Sequence, residues 1–362
     1  MNAPLLQESF NLPAVQTALS ALGANVETDA YGPQARFAGD DPIQSLCSGA
    51  VAPLPDFGLL QVTGADARSF LQSQLTNDVE KLPADRLQWN GFCTAKGRLL
   101  FAGRNWLQGD SVALQVPRTL AEPLRKRLSM FVLRSKAKLV DQSDLVACFG
   151  LIGAASGAAL ERLGLSPGPS ETCTHAGQIT ALHLPTLRLK EGDLERHLLM
   201  VPADEIVRRW DVLVNTGGEQ ALSPVSSETW RWTEILAGEV RILAGAVEQF
   251  VPQMVNFDLV GGVNFKKGCY PGQEVVARSH YLGKLKRRMF LGQAASGSCP
   301  IPGSDILSPG EAEPCGQVVM AARSPLGGVS VLYESQIALA ERVTLADGRA
   351  LAQQPLPYAL PA

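Results

Sequence analysis

The chain has 362 residues, of which 46% are hydrophobic and 19% charged, and its formal net charge is −3. That length suits two or three domains, and that composition suits a globular protein with a sizeable core. The near-neutral balance excludes a chain that holds nucleic acid or a membrane surface by global charge, so any such contact would be local.

The N-terminus, MNAPLLQESFNLPAV, lacks a basic segment followed by an apolar one. No run of about 18 uncharged apolar residues follows anywhere, so neither secretion nor a membrane span is expected, and a cytoplasmic location is. Residues 1–50 are rich in Gly, Pro, Ala and Asn with weak periodicity, and read as a partly ordered lead-in. FGLLQV (57–62) reads as a buried strand that runs into TGADARSFLQSQL. There Thr63 and Asp66 have capping-box spacing, and Phe70, Leu71, Gln74 and Leu75 have helical spacing. LQWNGFCTAKGRLLFAG and SVALQV predict further strands, with a turn at Lys96-Gly97. RTLAEPLRKRLSMF places Leu120, Leu124, Leu128 and Phe131 on one helical face, and its Pro123 is expected only near the first turn.

LVACFGLI (145–152) predicts another buried strand, and the following helix should stop at Gly164. A turn at 166–170 precedes strands in ITALHL and HLLMV and a helix in ADEIVRRWDVLV. A last helix, SETWRWTEILAG, should end at Gly238. Trp230 and Trp232 are two apart and do not share a helical face, so one is expected in the core and the other at a cleft. An open aromatic of this kind, or Phe57, can stack on a planar heterocycle. From about residue 289, short apolar runs alternate with Gly/Pro/Ser turns, as in a small β-barrel or sandwich. The expected division is thus a lead-in (1–50), α+β domains (51–285) and a small β domain (286–362), with no repeat of 20–50 residues.

Seven scattered cysteines include no C-x-x-C pair, and four histidines lack H-x-x-x-H spacing, so neither a disulfide framework nor a zinc cage is predicted. One thiol stands apart, in FKKGCYPGQE (265–274). Tyr270-Pro271-Gly272-Gln273 has the residues of a type II turn, which would present Cys269 on a bend. From Lys266 to Arg288 seven lysines and arginines stand against Glu274 alone, and nearby cations favour a thiolate. Such a thiolate can ligate a soft metal, attack an electrophile or be oxidised. The bland alternative is a thiol packed under its turn beside a solvated basic face.

Lys267-Gly268-Cys269-Tyr270-Pro271-Gly272-Gln273-Glu274 resembles the K-G-C-Y-x-G-Q-E signature of the YgfZ family. These are folate-binding proteins related to the T-protein, the aminomethyltransferase of the glycine cleavage system. Residues 59–79, 92–100, 250–278 and 354–360 also resemble family segments. The resemblance implies an α+β, T-protein-like ring of three domains around a central folate pocket, the last domain a β-barrel. It implies a role in assembly or repair of iron–sulfur proteins, including those that thiolate tRNA, with tetrahydrofolate as cofactor. By position it carries folate contact to Trp230 and to Phe57, which stands where the family has tryptophan, and the functional cysteine to Cys269. The implied partners are folate and iron–sulfur client enzymes, without a membrane and without direct nucleic-acid binding. The competing function is one-carbon transfer. T-proteins place a carboxylate near the folate, and the corresponding stretch Asn90–Gly97 has none. An RNA-binding role for the 278–288 basic stripe is a third reading, short of aromatics apart from Tyr281.

Overall fold

A computed structural model describes residues 13–39, 41–281 and 285–361. The first elements are α1 (Pro13–Ala21), the hairpin β1 (Asn25–Asp29) and β2 (Gly32–Arg36), and α2 (Ile43–Ser48). They occupy the stretch expected to be a lead-in. Its weak periodicity hid them, because buried residues such as Val15, Leu19, Tyr31, Ala35 and Leu46 follow no single spacing along the stretch. Residues 1–12 lie outside the described residues.

β3 (Ala50–Pro53) and β4 (Phe57–Thr63) precede α3 (Ala67–Gln72), and β5 (Gln88–Cys93), β6 (Leu99–Gln108) and β7 (Ser111–Pro117) form a meander. α4 (Arg118–Ser129) and β8 (Lys138–Asp141) close this unit, whose sheet order is β5-β6-β7-β4-β8. A second unit follows: β9 (Val146–Ile152), α5 (Ser156–Arg162), β10 (Thr172–Ala176), β11 (Ile179–Arg188), β12 (Asp193–Pro202), α6 (Ile206–Val214) and β13 (Ser223–Pro224). Its sheet runs β10-β11-β12-β9-β3-β13. Both units are strand–helix–three strands–helix–strand in the same spatial order, with β3 inserted in the second. The duplication spans more residues than the 20–50 over which the sequence shows no repeat. In each unit a glycine with positive φ leaves the first strand, Gly64 at 106° and Gly153 at 90°. A Cβ there would lie 2.1 Å from a backbone oxygen, of Lys136 or of Leu46, so only glycine permits these close crossings.

α7 (Ser227–Leu236) follows, then an irregular stretch, then α8 (Gln273–Tyr281). The strands β14 (Arg287–Ala294), β15 (Asp305–Leu307), β16 (Gly316–Arg323), β17 (Val329–Gln336), β18 (Val343–Leu345) and β19 (Ala350–Gln354) form a closed barrel, as the alternation of short apolar runs and turns implies.

Three expectations are corrected. Thr63 ends β4 instead of capping α3, and the Asp66 carboxylate accepts from Lys136 N–H at 2.7 Å, because the chain entering β8 offers that donor first. Pro123 is the sixth residue of α4, beyond the first turn. α4 ends at Ser129, so Phe131 leaves the helical face and is 39% exposed, while Leu120, Leu124 and Leu128 are buried.

Candidate functional site

Cys269 is exposed, on the bend that the Pro-Gly pair makes. Gly272 has φ 80°, and Gln273 N–H donates to the Tyr270 carbonyl at 3.2 Å, which closes the turn at the first residue of α8. The turn sits on the Thr94–Gly97 bend. A Cβ on Gly272 would be 2.3 Å from the Thr94 carbonyl oxygen, so the position demands glycine twice over. No such demand falls on Gly268, where a Cβ would meet nothing within 4 Å.

Lys267 points inward. Its Nζ donates to the carbonyls of Gln72 and, at 2.6 Å, of Leu75, groups left free where α3 ends. Burial brings its pKa down to about 8, against the opposing pull of Asp78, Glu80 and the Cys269 sulfur. The ammonium lies 5.1 Å from the Tyr270 ring centroid. Tyr270 is buried too, and burial pushes its phenol up, with the Cys93 thiol adding to the effect. Gln273 Nε2 donates to the Lys267 carbonyl at 3.5 Å, whereas Glu274 stands in solvent, 3.2 Å from Arg278. The expected cationic surround of Cys269 is therefore thinned by ion pairing. Arg278 faces Glu274, Arg287 faces Glu334, and Arg288 contacts Asp258 at 2.6 Å. Lys284 lies outside the described residues. α8 adds aromatics to Tyr281, since His280 stacks on Phe265 with ring centroids 3.8 Å apart.

A second assembly lies between the two sheets. Glu239, just beyond α7, accepts at Oε1 from Arg104 of β6 and Arg196 of β12, each at 2.7 Å, and at Oε2 from the same two guanidiniums at 3.3 and 3.4 Å. All three are buried. Burial alone would raise the Glu239 pKa, but the two guanidiniums outweigh it and hold it near about 2. Arg241 donates to Asp56 at 2.7 Å and approaches Glu234 to 3.0 Å. Burial pushes Glu234 up to about 7; Arg241 opposes, and Glu239 and Asp56 reinforce. Arginines cover the aromatic rings: Arg104 lies 4.0 Å from the Trp89 centroid, Arg241 4.5 Å from Phe57 and Arg196 6.0 Å from Trp230. Glu171, 35% exposed and 3.9 Å from Arg104, brings the layer to solvent.

The two aromatics named from sequence thus border one polar layer, although both are closed off. Phe57 is 4% and Trp230 0% exposed. Trp232 is buried as well, which corrects the expectation of one core and one cleft tryptophan. α7 is enclosed by β2, β3, β16 and β17, so it has no open face to give. The Trp230 ring lies on Gly150, where a Cβ would come within 2.1 Å of it. Asn90 bonds to Asn77, Gln88 and Asn105, an internal brace in the carboxylate-free stretch Asn90–Gly97. Among the described residues four polar atoms of the layer have no partner: Asp56 Oδ1, Arg104 Nε, Arg241 Nε and Trp230 Nε1; Glu234 Oε2 has only its 3.0 Å ion contact with Arg241. Such orphans are costly unless a ligand or water meets them.

Arg104, Arg196, Glu234, Glu239 and Arg241 were not singled out from sequence. Their signal is a charge inside an apolar run, as in LLFAGRNWLQ and ILAGEVRIL. Lys, Glu, Arg and Asp are seldom fully buried unless paired.

The fold defines the class: the chain is T-protein-like. It matches a glycine cleavage system aminomethyltransferase T from Bartonella henselae with TM-score 0.70 over 95% of this chain and 96% of that one, at 14% identity. No family model matches the chain. A tRNA-modifying protein YgfZ of Escherichia coli O127:H6 (strain E2348/69 / EPEC) is 32% identical over 253 residues, 70% of this chain and 74% of the relative. Its counterpart from Vibrio vulnificus (strain YJ016) is 34% identical over 248 residues, 68% of this chain and 71% of the relative. The chain belongs to the YgfZ family.

Proposed function

We propose that this chain is a folate-binding accessory factor for enzymes that modify tRNA, and that it sustains their iron–sulfur clusters through Cys269. The observation that carries the reading is an exposed thiol on a turn that is braced from three sides, by Lys267, Tyr270 and Gly272. A braced, accessible thiol suits transient bonding to iron or sulfur. The tRNA-modifying names of the relatives support the client class.

Tetrahydrofolate is the proposed cofactor, and the polar layer fits it. A pterin is planar and carries donors and acceptors, and the layer offers aromatic rings, orphan N–H groups and an orphan carboxylate oxygen of Asp56. Trp230 and Phe57 would flank the ring, and Arg241, Glu234 and Arg104 would meet its edge. Because arginines cover both aromatic rings, binding must move at least one of these side chains. Bound folate would supply one-carbon or reducing chemistry, while the chain orients it and excludes water. Among the described residues no helix is long and apolar enough to cross a membrane, and we place the protein in the cytoplasm.

One-carbon transfer is the competing function. Asn90 is committed to internal hydrogen bonds and Asn90–Gly97 supplies no proton-transfer carboxylate. The two readings separate in one experiment. The pure protein is assayed for methylene-tetrahydrofolate formation from an aminomethyl donor, and a strain lacking its own factor is complemented with wild type and Cys269→Ser. Expected are no transfer, restored tRNA thiolation with wild type, and none with the serine variant. Robust transfer without rescue would replace this reading with the transferase. In parallel, tetrahydrofolate should change tryptophan fluorescence, and Trp230→Ala should weaken binding several-fold.

A further inference from the structure

Beyond α4 the chain turns outward at Met130–Ser135 before entering β8. Met130 is 67% and Leu133 88% exposed, the latter with φ 44°. A bulky non-glycine residue with positive φ is held at a cost. Packing does not explain it, because the Leu133 side chain reaches almost nothing. Around this tip stand Arg127, Arg134, Lys136 and Lys138, all exposed, and none forms an ion pair among the described residues. The nearby Asp66 carboxylate is occupied by the Lys136 N–H. The tip is thus apolar at its centre and basic at its rim.

It also borders the cysteine turn through one edge strand, β5. The Phe131 ring meets Phe92 edge-on at 6.4 Å. Phe92 forms an isolated bridge with Leu75, whose carbonyl holds Lys267. The next residues of the strand and its turn, Cys93 and Thr94, lie beside Tyr270 and Gly272.

We propose that residues 127–138 are the docking surface for a protein partner whose contacting segment is apolar at its centre and acidic at its rim. This rests on the function proposed above: the partner is the client enzyme, and docking here brings it to Cys269. A standard interface hides about 800 Å² on each side, ample for a tip and a neighbouring turn. Aliphatic Met130 and Leu133 favour a protein over RNA. Bases gain from stacking on successive aromatic faces, whereas residues 127–138 carry one aromatic, Phe131.

The test uses the full chain as wild type, Leu133→Asn, Arg134→Glu/Lys136→Glu and Cys269→Ser. Each is titrated against a purified iron–sulfur enzyme that thiolates tRNA, against bulk tRNA, and against phosphatidylcholine vesicles containing phosphatidylglycerol. Asparagine tolerates positive φ, so Leu133→Asn should melt at or above the wild-type temperature. It should nevertheless bind the enzyme about tenfold more weakly, as should the double variant, while Cys269→Ser binds as wild type does. The inference is overturned if the enzyme does not bind, if tip variants bind it unchanged, or if they lose tRNA or vesicles instead. Complementation keeps the two claims apart. Rescue by the tip variants with failure of Cys269→Ser sinks the docking surface alone, whereas rescue by Cys269→Ser sinks the functional reading.

Discussion

Glu234 and Glu239 belong to one short stretch of chain and ionise in opposite ways. Glu239 faces two guanidiniums and stays charged. Glu234 shares Arg241 with Asp56, so burial wins. With a folded pKa near about 7 against 4.5 unfolded, Glu234 holds a proton in the folded state that the unfolded chain lacks between those values. Its contribution to stability is complete below about 4.5 and is lost as pH rises through 7. His197 runs the other way. Its Nδ1 lies 2.9 Å from that of His183, and burial brings its pKa to about 3, so this pair loses stability as pH falls below 6.5. The comparison of wild type with Glu234→Gln isolates the carboxyl. The two should be nearly equal at pH 4.5, with the glutamine variant more stable by about 1–3 kcal/mol at pH 8, read by urea unfolding. A pH-independent difference would refute the protonated Glu234.

At the scale of elements, the Tyr270–Gln273 turn is where the chain tolerates least. Gly272→Ala meets both a positive φ and the Thr94 carbonyl. It should cost about 1–3 kcal/mol and slow or misdirect Cys269 alkylation, measured by unfolding and by thiol modification at fixed pH. Pro123 predicts the opposite. In the second turn of α4 it denies Thr119 a hydrogen bond, and Pro123→Ala should raise stability by about 1 kcal/mol or more. The Pro-Gly pair made the cysteine turn legible from sequence, because φ limits are local. The stop at Gly164 was legible for the same reason, and the strand at 57–62 and the Leu120, Leu124 and Leu128 face of α4 from local apolar patterning. α1 and the β1–β2 hairpin were not, since their stability comes from packing on later elements. An example is Ala35 N–H, which donates to Ser227 Oγ at 2.8 Å. The buried charges were missed because their partners are far away in sequence on other elements, as with Arg104 in β6 and Glu239 beyond α7.

Over the whole molecule, α7 ties the pieces together. Glu228 receives the Arg323 side chain of the barrel at 2.8 and 3.0 Å, and it is held near about 2 because Arg323 and Arg231 outweigh its burial. Glu228→Gln should lower the urea midpoint by the equivalent of about 1–3 kcal/mol and expose the barrel junction to limited proteolysis. Unchanged proteolysis and midpoint would mean that the barrel is held by apolar packing alone. The duplication escaped the sequence because the two units share topology and a positive-φ glycine, while their side chains differ. Between the units stands one shared carboxylate, that of Glu239. This has a consequence for synthesis. The ribosome releases the chain N-terminus first, at about 5–20 residues per second. Arg104 and Arg196 therefore emerge before the carboxylate that joins them, with only Glu171, 3.9 Å from Arg104, made earlier to offset their charge. The ion pairs that join the two sheets at Glu239 are therefore among the later contacts the growing chain can make.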